Sequence, residues 1–98
     1  MTRRIVVIAP AAESDIQEAF TGYRERIALL ADVFRPAVFD SMDAIARSPL
    51  SRPADAEGNR HRVLRRFPFS VFYEVIGRPV TVLAIARHWR APVYRRGG

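Results

Sequence analysis

The spacing of apolar residues changes once along this chain, and that change limits the folds open to it. Ile16, Phe20, Tyr23 and Ile27, followed by Leu30, Phe34, Val38, Met42 and Ile45, recur every three or four positions and so line helical faces. Pro10 suits a first helical turn, where its missing N–H costs nothing, and Glu13 and Asp15 suit the positive end of the helix. Gly22 weakens this helix without ending it. Pro36 falls inside the second run and predicts a kink near residues 33–35 or a new helix beginning at Pro36. Ser48-Pro49 closes the element. Phe34, Phe39 and Met42 read as core packing between the two helices. Ahead of them, the β-branched run in "RRIVVIAP" predicts a short strand over residues 3–9.

The segment "SPLSRPADAEGNR" has loop composition, and after it the period becomes two. Residues 62–66, 69–76 and 80–86 then read as three strands. Gly77-Arg78 predicts a two-residue hairpin turn with the glycine at positive φ, and Pro79 is placed at the first position of the last strand. The order β-α-α-β-β-β predicts an α+β fold, two N-terminal helices packed on one face of a small antiparallel sheet. With 98 residues, one domain spanning 1–98 is expected. "RHWRAPVYRRGG" lies outside the strand pattern.

Composition matters mainly through its distribution. All sixteen basic residues are arginine, which excludes any mechanism that needs a lysine. Residues 1–57 carry seven arginines against nine carboxylates, whereas residues 58–98 carry nine arginines against Glu74 alone. A half this basic favours an anionic partner, either nucleic acid or an acidic protein segment. With no cysteine there is neither a disulfide framework nor a thiolate nucleophile, in keeping with a cytoplasmic address. No apolar run approaches the roughly 20 residues that span a bilayer, so no membrane partner is expected. The five-residue run at the N-terminus is shorter than the roughly 7–15 residues of a signal peptide's apolar core. There is no glycine-rich phosphate loop, and His61 and His88 alone could not fill a zinc site, so no metal or cofactor is expected.

Two groups are candidates for function. Arg60, Arg62, Arg65 and Arg66 surround the first meander strand, where alternation sends Arg62 and Arg66 to one face and Arg65 to the other. They read either as a solvated, aggregation-resistant strand or as an anion-binding sheet face, and the charge asymmetry favours the second. The other group is Arg87, His88, Trp89, Arg90 and Tyr94, arginines interleaved with rings that can hold phosphate and stack on bases, or anchor the tail to the sheet or a partner.

The order of elements, "PAAESDI" after the first strand, "SP" closing the second helix, "RRFPFSVFYEV" and the ending "VLAIARHWRAPVY" together resemble the RelE/ParE toxins of bacterial type II toxin–antitoxin modules. The resemblance runs from Ile5 to Arg96, and "RRFPF" is similar to the ParE branch. It implies a toxin that inhibits DNA gyrase and is neutralised by a cognate antitoxin, whose acidic segment masks the arginines ahead of "FPFSVFYEVIG". The alternative branch comprises RelE-like, metal-independent ribonucleases that cleave mRNA on the ribosome. On that branch Arg90 and Tyr94 stand at the catalytic arginine and tyrosine positions, while Ser70 replaces a further arginine. In the ParE tail pattern His-x-Arg-Arg-Asp-Pro, Arg87 takes the histidine place, Trp89 an arginine place and Ala91 the aspartate place. A third possibility is a module member that binds its partner without toxicity. Arg62, Arg65, Arg66, Arg87, His88 and Trp89 are the expected target- or anion-binding residues.

Overall fold

The computed structural model describes residues 3–87. A short strand β1 (Val6–Ile8) leads into helices α1 (Pro10–Arg26) and α2 (Ala28–Arg47) and a 3₁₀ turn at Pro49–Ser51. Three strands follow: β2 (Asn59–Val63), β3 (Phe69–Val75) and β4 (Val80–Arg87). The sheet order is β1-β4-β3-β2, with the last three strands an antiparallel meander and β1 parallel to β4. The expected α+β architecture holds; the sheet is mixed because the first strand joins beside the last. Among the described residues no helix is long and apolar enough to cross a membrane.

The two helices part at Ile27, whose extended backbone (φ −141°, ψ 96°) interrupts the helical run, and not at Pro36. Pro36 lies within α2, which continues unbroken through it. Proline removes one intrahelical bond, but packing of the buried Ala31, Phe34, Val38, Met42 and Ile45 holds the helix together across it. Ile27 is 54% exposed, although its spacing had placed it on the buried face of α1.

The core between helices and sheet contains Ile16, Phe34, Val38, Met42, Ile45, Val71, Tyr73, Val80, Val82 and Ile85. Phe34 and Met42 are buried as expected, but Phe39 is half exposed and lies on the β1 side of α2, beside Ile8 and Met42. Along β4, facing positions pass from Val82 to Ile85 because Leu83 is the extra residue of a bulge opposite Phe72 and Tyr73. Beyond the point where β1 ends, Asp15 on α1 accepts a 2.9 Å hydrogen bond from the Ile85 N–H. The hairpin between β3 and β4 is longer than two residues: Val75 faces Val80, and Pro79 falls in the turn. Gly77 has the positive φ (70°) that the turn demands.

The first meander strand begins and ends earlier than alternation suggested. Asp55 Oδ1 accepts hydrogen bonds from the N–H groups of Glu57 and Asn59, both at 2.9 Å, and Gly58 takes a φ of 86°. This tight turn turns the chain into β2 at Asn59. At the other end the Leu64 N–H donates to the Phe69 carbonyl at 2.9 Å, closing the hairpin and leaving Arg65 and Arg66 in its turn. Pro68, with no N–H to give a ladder, belongs to that turn. Arg66 adopts φ 71°, a left-handed conformation rare for a residue with a side chain.

Candidate functional site

Four aromatic rings fix the β2–β3 turn against the helices. Phe34 of α2 lies 5.3 Å from Phe67 and 5.8 Å from Phe69, both in edge-to-face geometry. Tyr23 of α1 stands 5.4 Å from both Phe34 and Phe67. Each such pair adds about 0.5–1.5 kcal/mol beyond burial. The phenylalanines of "RRFPF" are therefore anchors, and the arginines just before them are held at a fixed place on the surface.

That place is not a sheet face. Cross-strand partners share a face, and Arg62 is paired with the fully buried Val71, so Arg62 projects to the helix side. Arg65 and Arg66 belong to the turn, which corrects the expectation that alternation along a strand would divide them between two faces. All three arginines line a cavity of about 380 Å³ between the turn and α2, together with Leu64 and Phe67 from the turn and Val33, Pro36, Ala37, Asp40 and Ser41 from α2. Among the described residues none of these three arginines forms an ion pair, in contrast to Arg3 and Arg47, which both bond Asp43. Ser41 is only 8% exposed, and its hydroxyl has no hydrogen-bond partner among the described residues. The sequence reading missed the α2 contribution. Its signal is a second stripe, Leu29, Val33 and Pro36, spaced by four and three off the core face.

Basic charge also surrounds Tyr73. Its phenol is pushed above the usual tyrosine range by burial, an effect partly offset by Arg60, Arg52 and Arg62. The hydroxyl donates to the Pro49 carbonyl at 2.8 Å, and Arg60 donates to the Arg52 carbonyl. His61 projects to the opposite face, stacked on Phe72 with ring centroids 5.4 Å apart.

Arg87 stands elsewhere, at the end of β4, with its guanidinium 5.1 Å from the Phe69 ring centre. It lines a second cavity, of about 260 Å³, with Asp15, Glu18, Tyr23, Arg26 and Phe69. Burial raises the pKa of Tyr23, while Arg87 and Arg26 pull it back. The structure thus gathers Arg62, Arg65 and Arg66 and separates Arg87 from them. His88, Trp89, Arg90 and Tyr94 lie outside the described residues. Ser70 is buried in β3 opposite Val63 and Ala86. No group of three or more potential metal-ligating side chains occurs among the described residues.

Two helices on one face of a β1-β4-β3-β2 sheet make up the RelE/ParE toxin fold, and in this chain they hold a basic turn through aromatic anchors. The sequence matches the family described as the ParE toxin of the type II toxin-antitoxin system parDE over residues 6–92, and the chain belongs to that family. Among solved structures it is similar to a chain of the chromosomal ParDE toxin-antitoxin system from P. aeruginosa. The TM-score is 0.77 at 21% identity, covering 87% of this chain and 96% of the other. A chain of the RelBE2 toxin-antitoxin complex from Mycobacterium tuberculosis is also similar, with a TM-score of 0.60 at 17% identity over 88% and 99%. No curated protein matches the sequence.

Proposed function

We propose that this ParE-family toxin acts by binding DNA gyrase and is held inactive by a cognate antitoxin. The observation that carries the reading is the cluster of Arg62, Arg65 and Arg66, none of them in an ion pair among the described residues, within a chain that matches the ParE family over residues 6–92. A fixed set of uncompensated guanidinium groups is a docking surface for an anionic partner and needs no chemistry of its own. That the similar solved structures are toxin–antitoxin systems supports the antitoxin half of the reading.

Inducible expression in a bacterial host tests it. Gyrase binding predicts induction of the DNA-damage response with stable mRNA, and rescue of growth when the antitoxin is co-expressed. Rapid mRNA loss without that response would replace this reading with the ribonuclease, directing mutagenesis to Arg90 and Tyr94. Harmless overexpression would leave a binding-only module member.

A further inference from the structure

We infer that the cleft between α1, the start of β3 and the end of β4 binds a small zwitterion whose cation lies several atoms from its carboxylate, the class of the basic amino acids. The cleft has a volume of about 260 Å³, and its charge is sorted along its length. Asp15, Glu18, Gly22 and Arg26 follow one another at helical spacing on α1, so that wall runs from two carboxylates to a guanidinium. On the facing wall β4 keeps the same direction. Ile85 bonds Asp15 at the acidic end, and Arg87, two residues further on, holds its guanidinium over Phe69. Burial raises the Tyr23 pKa while Arg87 and Arg26 both pull it back, which places the two cations together around that phenol. Tyr23 and Phe69 line the stretch between the ends.

The two ends do not cancel each other. At about 1.5 Å per residue, Glu18 and Arg26 stand roughly 12 Å apart along α1. Neither forms an ion pair among the described residues. Side chains reaching inward shorten that span to the length of lysine or arginine, whose terminal cation is carried on an extended aliphatic stem. An amino acid with an uncharged side chain carries both charges on neighbouring groups and reaches one end only. An inorganic anion suits the arginines but is repelled by Asp15 and Glu18. The Asp15 carboxyl is raised by burial, with a smaller push from Glu18, so a cation seated between the two carboxylates favours both in their ionised form.

Gly22 supplies a second, independent observation. Glycine weakens a helix interior relative to alanine, yet a Cβ added at Gly22 would meet nothing within 4 Å. No contact among the described residues requires the gap. It lies midway between the acidic and basic ends of the cleft, where a side chain would stand in the path of a ligand spanning them.

The test titrates the full, isotope-labelled chain with L-lysine and separately with L-arginine, following amide shifts and the thermal midpoint. At least one of the two gives saturable shifts centred on residues 15–26 and 85–87, and raises the midpoint. Cadaverine, which lacks the carboxylate, and L-norleucine, which lacks the terminal cation, each bind about tenfold more weakly or worse. Gly22→Leu and Glu18→Gln each lose about tenfold in affinity, while the control Arg78→Glu on the β3–β4 turn stays within about twofold. Without ligand, Gly22→Leu melts at or above the wild-type midpoint, because leucine is the better helix former; binding and stability therefore move in opposite directions. Shifts that fail to saturate with either amino acid overturn the inference. So does equal binding of cadaverine or norleucine, or binding that survives both cleft variants. None of these probes engages gyrase or an antitoxin, so the outcome is independent of the function proposed above.

Discussion

The hydroxyl of Tyr73, at the centre of β3, donates a 2.8 Å hydrogen bond to the carbonyl of Pro49, in the turn that follows α2. It ties the end of the helical half to the middle of the sheet. Tyr73→Phe keeps the ring and leaves that carbonyl without its buried donor, so a loss of about 1–3 kcal/mol is expected in chemical denaturation. The same variant should alter the alkaline limb of stability. Because burial raises the folded-state pKa of Tyr73 above its ordinary value of 10.0, the contribution is full below pH 10 and is lost as pH rises through the folded value. Part of the wild-type decline above pH 10 should disappear in Tyr73→Phe. Tyr23, shifted in the same direction, contributes to the same alkaline decline.

Asp15 provides a second test, at acidic pH. Burial raises its carboxyl pKa above 3.8 despite the opposing hydrogen bond from Ile85, with Glu18 adding a smaller upward push. Stability linked to this group is therefore full below pH 3.8 and falls as pH rises through the folded pKa. Asp15→Asn retains an acceptor for the Ile85 N–H and carries no charge, so its stability relative to wild type should improve as pH rises from about 4 to neutrality. Asp15→Ala loses the acceptor and should be less stable than Asp15→Asn by about 1 kcal/mol. Equal stability of the two variants would show that water replaces the carboxylate.

Arg66 tests how much backbone strain the β2–β3 turn holds. Its φ of 71° is easily adopted by glycine and strains other residues, so Arg66→Gly should be neutral or stabilising by up to about 1 kcal/mol. Denaturant midpoints measure this, and a marked loss of stability would show that the arginine side chain itself supports the turn.

The aromatic anchors predict the opposite balance. Phe67 is 6% exposed and touches rings from both helices, so Phe67→Ala should cost about 3–5 kcal/mol. Hydrogen exchange should report it first in the amides of the β2–β3 turn, and protection left unchanged there would contradict the anchoring role.

The elements legible in the sequence were those specified by local pattern. The spacing of Ile16, Phe20 and Tyr23 marks α1, and the β-branched run in "FSVFYEV" marks β3. The helix break was misplaced because Pro36 carries the usual signal, whereas Ile27, with no such signal, adopts the extended conformation. The start of β2 was obscured because the Asp55–Gly58 turn resembled linker, although an aspartate three residues before a glycine is itself a turn signal. The site was half legible. Its arginines stand out as charge, but their gathering with Asp40 and Ser41 depends on the hairpin turn docking on α2, and nothing in either segment alone specifies that.

The pairing of β1 with β4 joins Val6 to Val80, and β4 holds the centre of the sheet. During translation the helices and β2 can emerge and take local shape, but the sheet cannot be completed until residues 80–87 have left the ribosome tunnel. Contacts so distant in sequence form late, after the entropy of closing a long loop has been met. Every nascent chain therefore passes through an interval in which β1 and one edge of β3 lack their partner strand, and in that interval the open edge of β3 is free to pair with another chain.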